Sequence, residues 1–343
     1  MPLSPRSPED SGHEARAPRG AAGMASSRWW RALGLFFGVG VLATLAAIVV
    51  AQWRRVPPEA LRPNVGLLLL AFAVFRVNVW VGALRWLAVL RALGGTISVP
   101  RAYAVCVLSA LGRYVPGKVA LVAAKACLCV REGVRLSVAM MSVFYEQALH
   151  MIGAAILVAL WIGLSGPGQP LPMPARSAAV AVAIAGVLAV HPWLVSRAMA
   201  LAGRLLRRQV VVEGLPYRKM LPLEIAFLAY WLFYGFGFYF FVCAFQPQPL
   251  VRVLDCTAIV ALAMVLGLIT LIAPAGIGIL EGTTAALLSA YMPLALAAAI
   301  ALALRVMLTL GEVCDVTVAL LLRAKLPTLA PTRDDRRPAQ HGD

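Results

Sequence analysis

The sequence predicts an all-α polytopic membrane protein, with about six full spans and two broken or re-entrant helix pairs. Three observations predict it. The first is composition: 61% of the 343 residues are hydrophobic and only 13% charged, with a mean hydropathy of +0.83, whereas a soluble domain is nearer half apolar and about a quarter charged. The second is the +16 net charge, which collects in short runs between apolar segments as membrane topology requires. The third is a pair of Pro-Gly interruptions in separate halves of the chain, Pro116-Gly117 and Pro274 to Gly278.

The elements follow in order. Residues 1–27 are rich in Pro, Arg, Gly, Ser and Ala without an apolar period, so a disordered cytoplasmic tail is expected; within it, MASSRWWRALGLFF makes Met24 a candidate start. The membrane domain is expected over 28–323. Its first span covers 29–52, too long for the apolar core of a signal peptide and long enough to cross a bilayer. A second covers 65–90. Two shorter pieces, 99–113 and 117–131, flank the first break, and neither has the roughly 20 residues of a full crossing. Further spans are expected at 136–164, 177–196, 222–245 and 294–322, with a second broken pair at 252–273 and 277–291. Residues 324–343 form a second disordered tail. Eight or more membrane segments result, placed as an inverted repeat would place them.

Lys and Arg mark the N-terminus, 85–101, 131–135, 197–219 and the C-terminal tail as cytoplasmic, while 164–175 and 246–250 carry no charge and belong outside. Arg54, Arg55 and Arg62 oppose this pattern at the first outer loop. With that parity one broken pair enters and leaves on the cytoplasmic side and the other on the outer side, each as a re-entrant hairpin or as two tilted crossings.

An open turn inside hydrocarbon leaves backbone N–H and C=O groups unpaired, and survives only where protein or water surrounds it. A helix beginning there points the positive end of its dipole into a cavity and can bind an anion; the blander reading is a kinked helix with Gly for close packing. Two broken segments in corresponding places of two halves are the pattern of an inverted-repeat transporter site. The buried charges add to this. A charge at a helix centre costs about 2.5–3.5 kcal/mol on insertion scales, so Lys125, Glu146, Glu281, Arg305 and Glu312 should face one another or water. Arg113, Lys118 and Arg305 are read as anion contacts, with salt bridging as the alternative; Glu312 and Asp315 as structural salt-bridge partners; Arg85 and Arg91 as snorkelling interface residues; and Trp29, Trp30, Trp53, Trp80, Trp86 and Trp161 mostly as interfacial belts.

Other chemistry leaves no trace. The six cysteines form no C-x-x-C pair and are read as small core hydrophobes, the four histidines are too scattered for a metal site, and G-x-S-x-G, P-loop and dinucleotide-binding motifs are missing. No cofactor, metal or nucleic-acid partner is expected.

The stretches LSALGRYVPGKVALVAAKACLCVREGV and SVFYEQALH, with IAPAGIGILEGTTAALL and ALALRVMLTLGEV, resemble the membrane domain of the bacterial lysylphosphatidylglycerol synthases and the related stand-alone flippase-like proteins. The resemblance covers roughly 60–325 and rests on Tyr114, Val115, Pro116, Gly117, Lys118, Lys125, Gly133 and Glu146, then on Pro274, Gly276, Gly278, Glu281 and Arg305. Ala275 stands where the family often has Gly, and Leu280 where it often has Arg, a change that bears on which head group is held. No soluble aminoacyl-transferase domain is read in the chain, so the resemblance implies the flippase-like half of that system without the synthase half, and no enzyme.

The expected function is therefore transport of an anionic phospholipid or a lipid-linked sugar phosphate between leaflets of a bacterial inner membrane, both termini cytoplasmic. Arg113, Tyr114, Pro116, Gly117, Lys118, Lys125, Glu146, Pro274, Gly276, Gly278, Glu281 and Arg305 form the expected substrate site. Glu146 and Glu281 pair with the cations when the site is empty, or accept a cationic head group. With no ATP motif, energy comes from ion or lipid gradients. Two alternatives stand beside it: an integral head-group transferase using Glu146 and His150 as acid and base, and a non-transporting partner of a separate synthase or glycosyltransferase. A second copy of the chain is a further expected partner.

Overall fold

A computed structural model describes residues 62–114, 119–164, 215–247, 250–269 and 276–325, with isolated positions at Val50, Ser177, Ala181, Ile184 and Arg197. The expected spans at 29–52 and 177–196, most of both tails, and Val115, Pro116, Gly117, Lys118, Pro274 and Ala275 lie outside these residues. Among the described residues every regular element is helical: α1 (Val65–Ala92), α2 (Val99–Ala110) followed by a 3-10 turn (Leu111–Tyr114), α3 (Val119–Arg131), α4 (Leu136–Leu164), α5 (Tyr217–Phe245), α6 (Val253–Ile269), α7 (Ile279–Leu288) and α8 (Leu294–Lys325). Four of them, α1, α4, α5 and α8, are long and apolar enough to cross a membrane, and the chain is a multi-pass membrane protein.

Local signals set the boundaries. The Asn64 side chain caps α1 by accepting the N–H of Leu67 at 3.1 Å. At the other end, Gly95 N donates to Leu90 O and Gly94 N to Arg91 O; at the end of α3, Val134 N donates to Cys129 O and Gly133 N to Val130 O. Both are Schellman closures, with Gly94 and Gly133 at φ +84° and +81°. Pro100 lies in the first turn of α2, where its missing N–H costs nothing. Helix α5 begins earlier than the expected 222 because Pro222 is taken inside it, close enough to the start for one lost backbone bond to be tolerated. Helix α8 continues to Lys325, past the expected boundary at 323.

Helices α2 and α3 form an antiparallel pair: the 3-10 turn rests on the first residues of α3, and Arg101 Nε meets Glu132 Oε2 at 3.3 Å at the opposite end. At about 1.5 Å per residue each reaches only about 20 Å, short of a bilayer core of about 30 Å. Helices α6 and α7 make the second pair, closed where Gly276 comes against Gly267. The larger apolar cluster joins α1, α5, α6, α7 and α8 through Phe75, Phe238, Phe241, Ile259, Leu288 and Ile300. A second joins α1, α2 and α3 around Trp86, Leu90, Ala102, Val105, Ala126 and Cys129.

Three sequence expectations are corrected here. Trp86 is fully buried and donates its indole N–H to Ser142 Oγ at 3.2 Å, and Trp161 is buried against Asp255 Oδ1 at 2.8 Å; neither belongs to an interfacial belt. Trp80 stacks on Tyr103 with ring centroids 3.9 Å apart. A tryptophan that finds an acceptor inside the bundle loses the reason to stay at the interface. Cys129, Cys243 and Cys256 are buried as expected, but Cys127 and Cys314 are exposed.

Lipid is as apolar as a leucine side chain, so close backbone approach carries much of the packing. At Gly235 of α5, an added Cβ would fall 1.8 Å from Thr257 Oγ1 of α6. Gly235→Ala is expected to force α5 and α6 apart and cost about 1–3 kcal/mol, read as a lowered midpoint of thermal unfolding in detergent; an unchanged midpoint refutes this contact.

Candidate functional site

A cavity of about 390 Å³ opens where the two short pairs meet the long helices. Its lining on α1 is Phe75, Arg76, Asn78, Val79, Gly82, Ala83 and Arg85, a stripe at helical spacing. On α8 it is Arg305, Leu308, Thr309, Glu312 and Asp315, again one face. Arg113, Tyr114, Leu121 and Lys125 enter from the α2–α3 pair, Gly267, Gly276 and Leu280 from the α6–α7 pair. Helices α4 and α5 add Glu146, Gln147 and His150, and Tyr230 and Tyr234. Of the twelve expected site residues, Arg113, Tyr114, Lys125, Glu146, Gly276 and Arg305 line this one space; Gly278 and Glu281 lie just behind it. Pro116, Gly117, Lys118 and Pro274 fall outside the described residues.

Each charge has a definite place. Lys125 Nζ lies 2.6 Å from Glu146 Oε2 and 4.4 Å from the centre of the Trp86 ring. Arg113 Nη2 lies 2.7 Å from Glu312 Oε1, while the Tyr114 hydroxyl donates to Glu312 Oε2 at 2.7 Å. Arg76 is bonded to Asp315, whose other oxygen accepts the Tyr103 hydroxyl at 2.9 Å. Arg305 Nε stands 3.5 Å from Glu281 Oε1. Arg113 and Arg305 are thus both paired to carboxylates in this structure, Arg305 to Glu281, as expected of an empty site, and Arg113 to Glu312. The surroundings explain it, since a lone cation in a low-dielectric interior costs several kcal/mol and takes any carboxylate within reach.

The N-terminus of α7 shows the same rule. Gly278, at φ +87°, begins the helix, and its N–H donates to Glu281 Oε2 at 2.7 Å. The positive helix end expected to hold a phosphate therefore meets the helix's own carboxylate, which is 1% exposed. Gly276, at φ +68°, lies so close to Gly267 that a Cβ would come within 3.3 Å of its Cα. A glycine is needed there on both counts.

Arg85 is the clearest departure from expectation. Instead of snorkelling it is 8% exposed, with Nη1 3.0 Å from His150 Nδ1 and Cζ 3.8 and 4.2 Å from the centres of the Tyr230 and Phe227 rings. A guanidinium can only donate, so His150 Nδ1 accepts and its proton is on Nε2. The ring stacks on Trp231 at 4.4 Å, and the Trp231 N–H donates to the His150 carbonyl at 3.0 Å. Glu146 and His150, four residues apart on α4, therefore face different cations. Arg91, by contrast, is exposed. Sequence reasoning gave no role to Arg76, Tyr103 or Tyr230, and none to Glu224, a buried acid whose two carboxylate oxygens have no hydrogen-bond partner among the described residues. Among the described residues no group of His, Cys, Asp and Glu is arranged to hold a metal ion.

A helical membrane bundle with a charged cavity between two short helix pairs defines a class of membrane domain. The chain matches the family described as "Lysylphosphatidylglycerol synthase TM region" over residues 29–311, and it belongs to that family. No curated protein matches it.

Two measurements check the site. Lys125→Met is expected to cost about 3–5 kcal/mol by leaving Glu146 buried and unpaired, and adding Glu146→Leu should restore most of it; equal unfolding midpoints for wild type and the single variant contradict the pairing. An added Cβ at Gly311 would fall 2.2 Å from Arg76 Cζ, so Gly311→Ala should displace Arg76 and destabilise the protein, whereas in an Arg76→Met background the same change should be nearly neutral.

Proposed function

We propose that the protein moves an anionic phospholipid or a lipid-linked sugar phosphate between leaflets. One observation carries this reading: the 390 Å³ cavity is lined by five cations, Arg76, Arg85, Arg113, Lys125 and Arg305, and by three carboxylates, Glu146, Glu312 and Asp315, inside helices whose outer faces are apolar. Purely structural ion pairs close on themselves and need no open space. Here the pairs border a volume large enough for a phosphate-bearing head group, while acyl or prenyl tails stay in lipid.

The two short pairs act as the corresponding broken segments of an inverted repeat, with the α2–α3 pair reaching in from the cytoplasmic leaflet and the α6–α7 pair from the outer one. The basic residues at 85–101 and 131–135, and the uncharged 246–250 segment, support that orientation in a bacterial inner membrane with both termini cytoplasmic. Lys125 and Glu146 are each committed to the other, and the His150 Nδ1 lone pair to Arg85. That commitment favours binding and release over acid–base chemistry, since a general base needs a free lone pair at the substrate.

The test is leaflet exchange in liposomes containing the purified protein, with labelled phosphatidylglycerol, a polyprenyl phosphate, phosphatidylcholine and diacylglycerol. The anionic lipids should exchange several-fold faster than in protein-free liposomes, and faster than the zwitterionic and neutral ones. Rates for both anionic lipids equal to those of protein-free liposomes overturn the proposal.

A further inference from the structure

The pairings leave the cavity's cations unequal. Among the described residues, Arg76, Arg113, Lys125 and Arg305 each form an ion pair with a carboxylate. Arg85 forms none. The two acids whose charges act on it, Glu146 and Glu224, make no ion pair with it. Its polar contact is a neutral imidazole nitrogen, its Nε–H is buried without a hydrogen-bond partner, and it lines the cavity. A buried guanidinium held without a counter-ion is a costly thing to keep.

We propose that Arg85 is the resting anchor for the phosphate of the ligand, a phosphomonoester or phosphodiester. This deepens the reading above and rests on an anionic group entering the cavity. At the other four cations a phosphate must first displace a carboxylate; at Arg85 no carboxylate stands in the way. His150 takes Nη1, which leaves unpartnered the edge bearing Nε, the side that grips two oxygens at once in fork-type recognition of phosphate. The stack on Tyr230 and Phe227 holds the guanidinium plane still, so little freedom is lost on binding. His150, itself clamped on Trp231, is a positioning residue that fixes this orientation.

The experiment is native mass spectrometry of the purified full chain, delipidated in detergent and titrated with phosphatidylglycerol, diacylglycerol and glycerol phosphate. Wild type should retain phosphatidylglycerol over diacylglycerol. Arg85→Gln should weaken phosphatidylglycerol binding by about tenfold or more, and Arg91→Gln, the same charge change on the exposed face of the same helix, should not. Arg85→Lys keeps the charge and the fold but lacks the fork, and should lose several-fold. Glycerol phosphate that binds alone in an Arg85-dependent manner identifies a free phosphate ester as the ligand; competition only by the intact lipid identifies the membrane lipid.

Wild-type affinity in a folded Arg85→Gln, or in Arg85→Lys if the glutamine variant does not fold, overturns the assignment. So does equal binding of diacylglycerol and phosphatidylglycerol, or a wild type that binds no phosphate ester. Arg85-dependent binding without leaflet exchange leaves Arg85 as anchor and removes transport, whereas anionic-lipid exchange unchanged by Arg85→Gln removes Arg85 and leaves transport.

Discussion

The structure depends on one constraint: a charge inside a membrane bundle is costly unless an opposite charge lies within a few ångströms, and four of the five cavity cations have one. At an effective dielectric of about 20, two opposite charges about 4 Å apart attract by about 4 kcal/mol, against about 1 kcal/mol in water. That attraction sets which helices touch at the centre. Helix α8 carries three of the charges, and each reaches a different element: Arg305 to α7, Glu312 to the turn after α2, and Asp315 to α1 and α2. Lys125 ties α3 to α4 in the same way. The apolar clusters pack these helices, but lipid offers no hydrophobic driving force for their mutual register. The ion pairs supply the register, because each fixes one helix against a particular residue of another.

Much of the architecture was legible because its signals are local. The starts of the apolar runs at 65, 99, 136, 252 and 294 fall at or within a residue of the helix starts, and Gly133, in the basic 131–135 segment, closes α3. Composition fixes which stretches are helical, since a backbone in hydrocarbon has almost no other choice. The same uniform greasiness hides the rest. A helix that is apolar all round has no sequence face, so nothing distinguished Trp86 and Trp161, which find acceptors inside, from tryptophans at an interface. Arg85 near the end of an apolar helix reads as a snorkelling cation until the tertiary fold places Tyr230, Phe227 and His150 around it.

The site was half legible for a related reason. That Lys125, Glu146, Glu281, Arg305 and Glu312 needed partners followed from cost alone; who would partner whom did not. Spacing along α8 placed Arg305 and Glu312 on one face, yet Glu312 turns to Arg113 and Tyr114 of another element. Partners separated by 198 and 239 residues in the chain share no local pattern. One signal was available and unused: α1 carries two arginines, Arg76 and Arg85, nine residues and about 13 Å apart within one apolar helix. Two cations within the body of a membrane helix mark it as lining a cavity as surely as a Pro-Gly break does.

The pairing pattern bears on how such a cavity can work. A set of cations left bare would hold an anionic head group too tightly to release it, while a set fully closed by carboxylates would not admit one. Here four cations are matched by Asp315, Glu312, Glu146 and Glu281, and the fifth is held by an imidazole and two rings. On the reading proposed above, a phosphate settled at Arg85 would compete for a neighbouring cation by exchanging one oxyanion for another, at the cost of leaving that cation's carboxylate unpaired. Differential affinity between two arrangements is the only means by which a ligand shifts a conformational equilibrium. Under that proposal, a phosphate that takes over a neighbouring cation would bias one arrangement over another, and loading from either leaflet would depend on that bias.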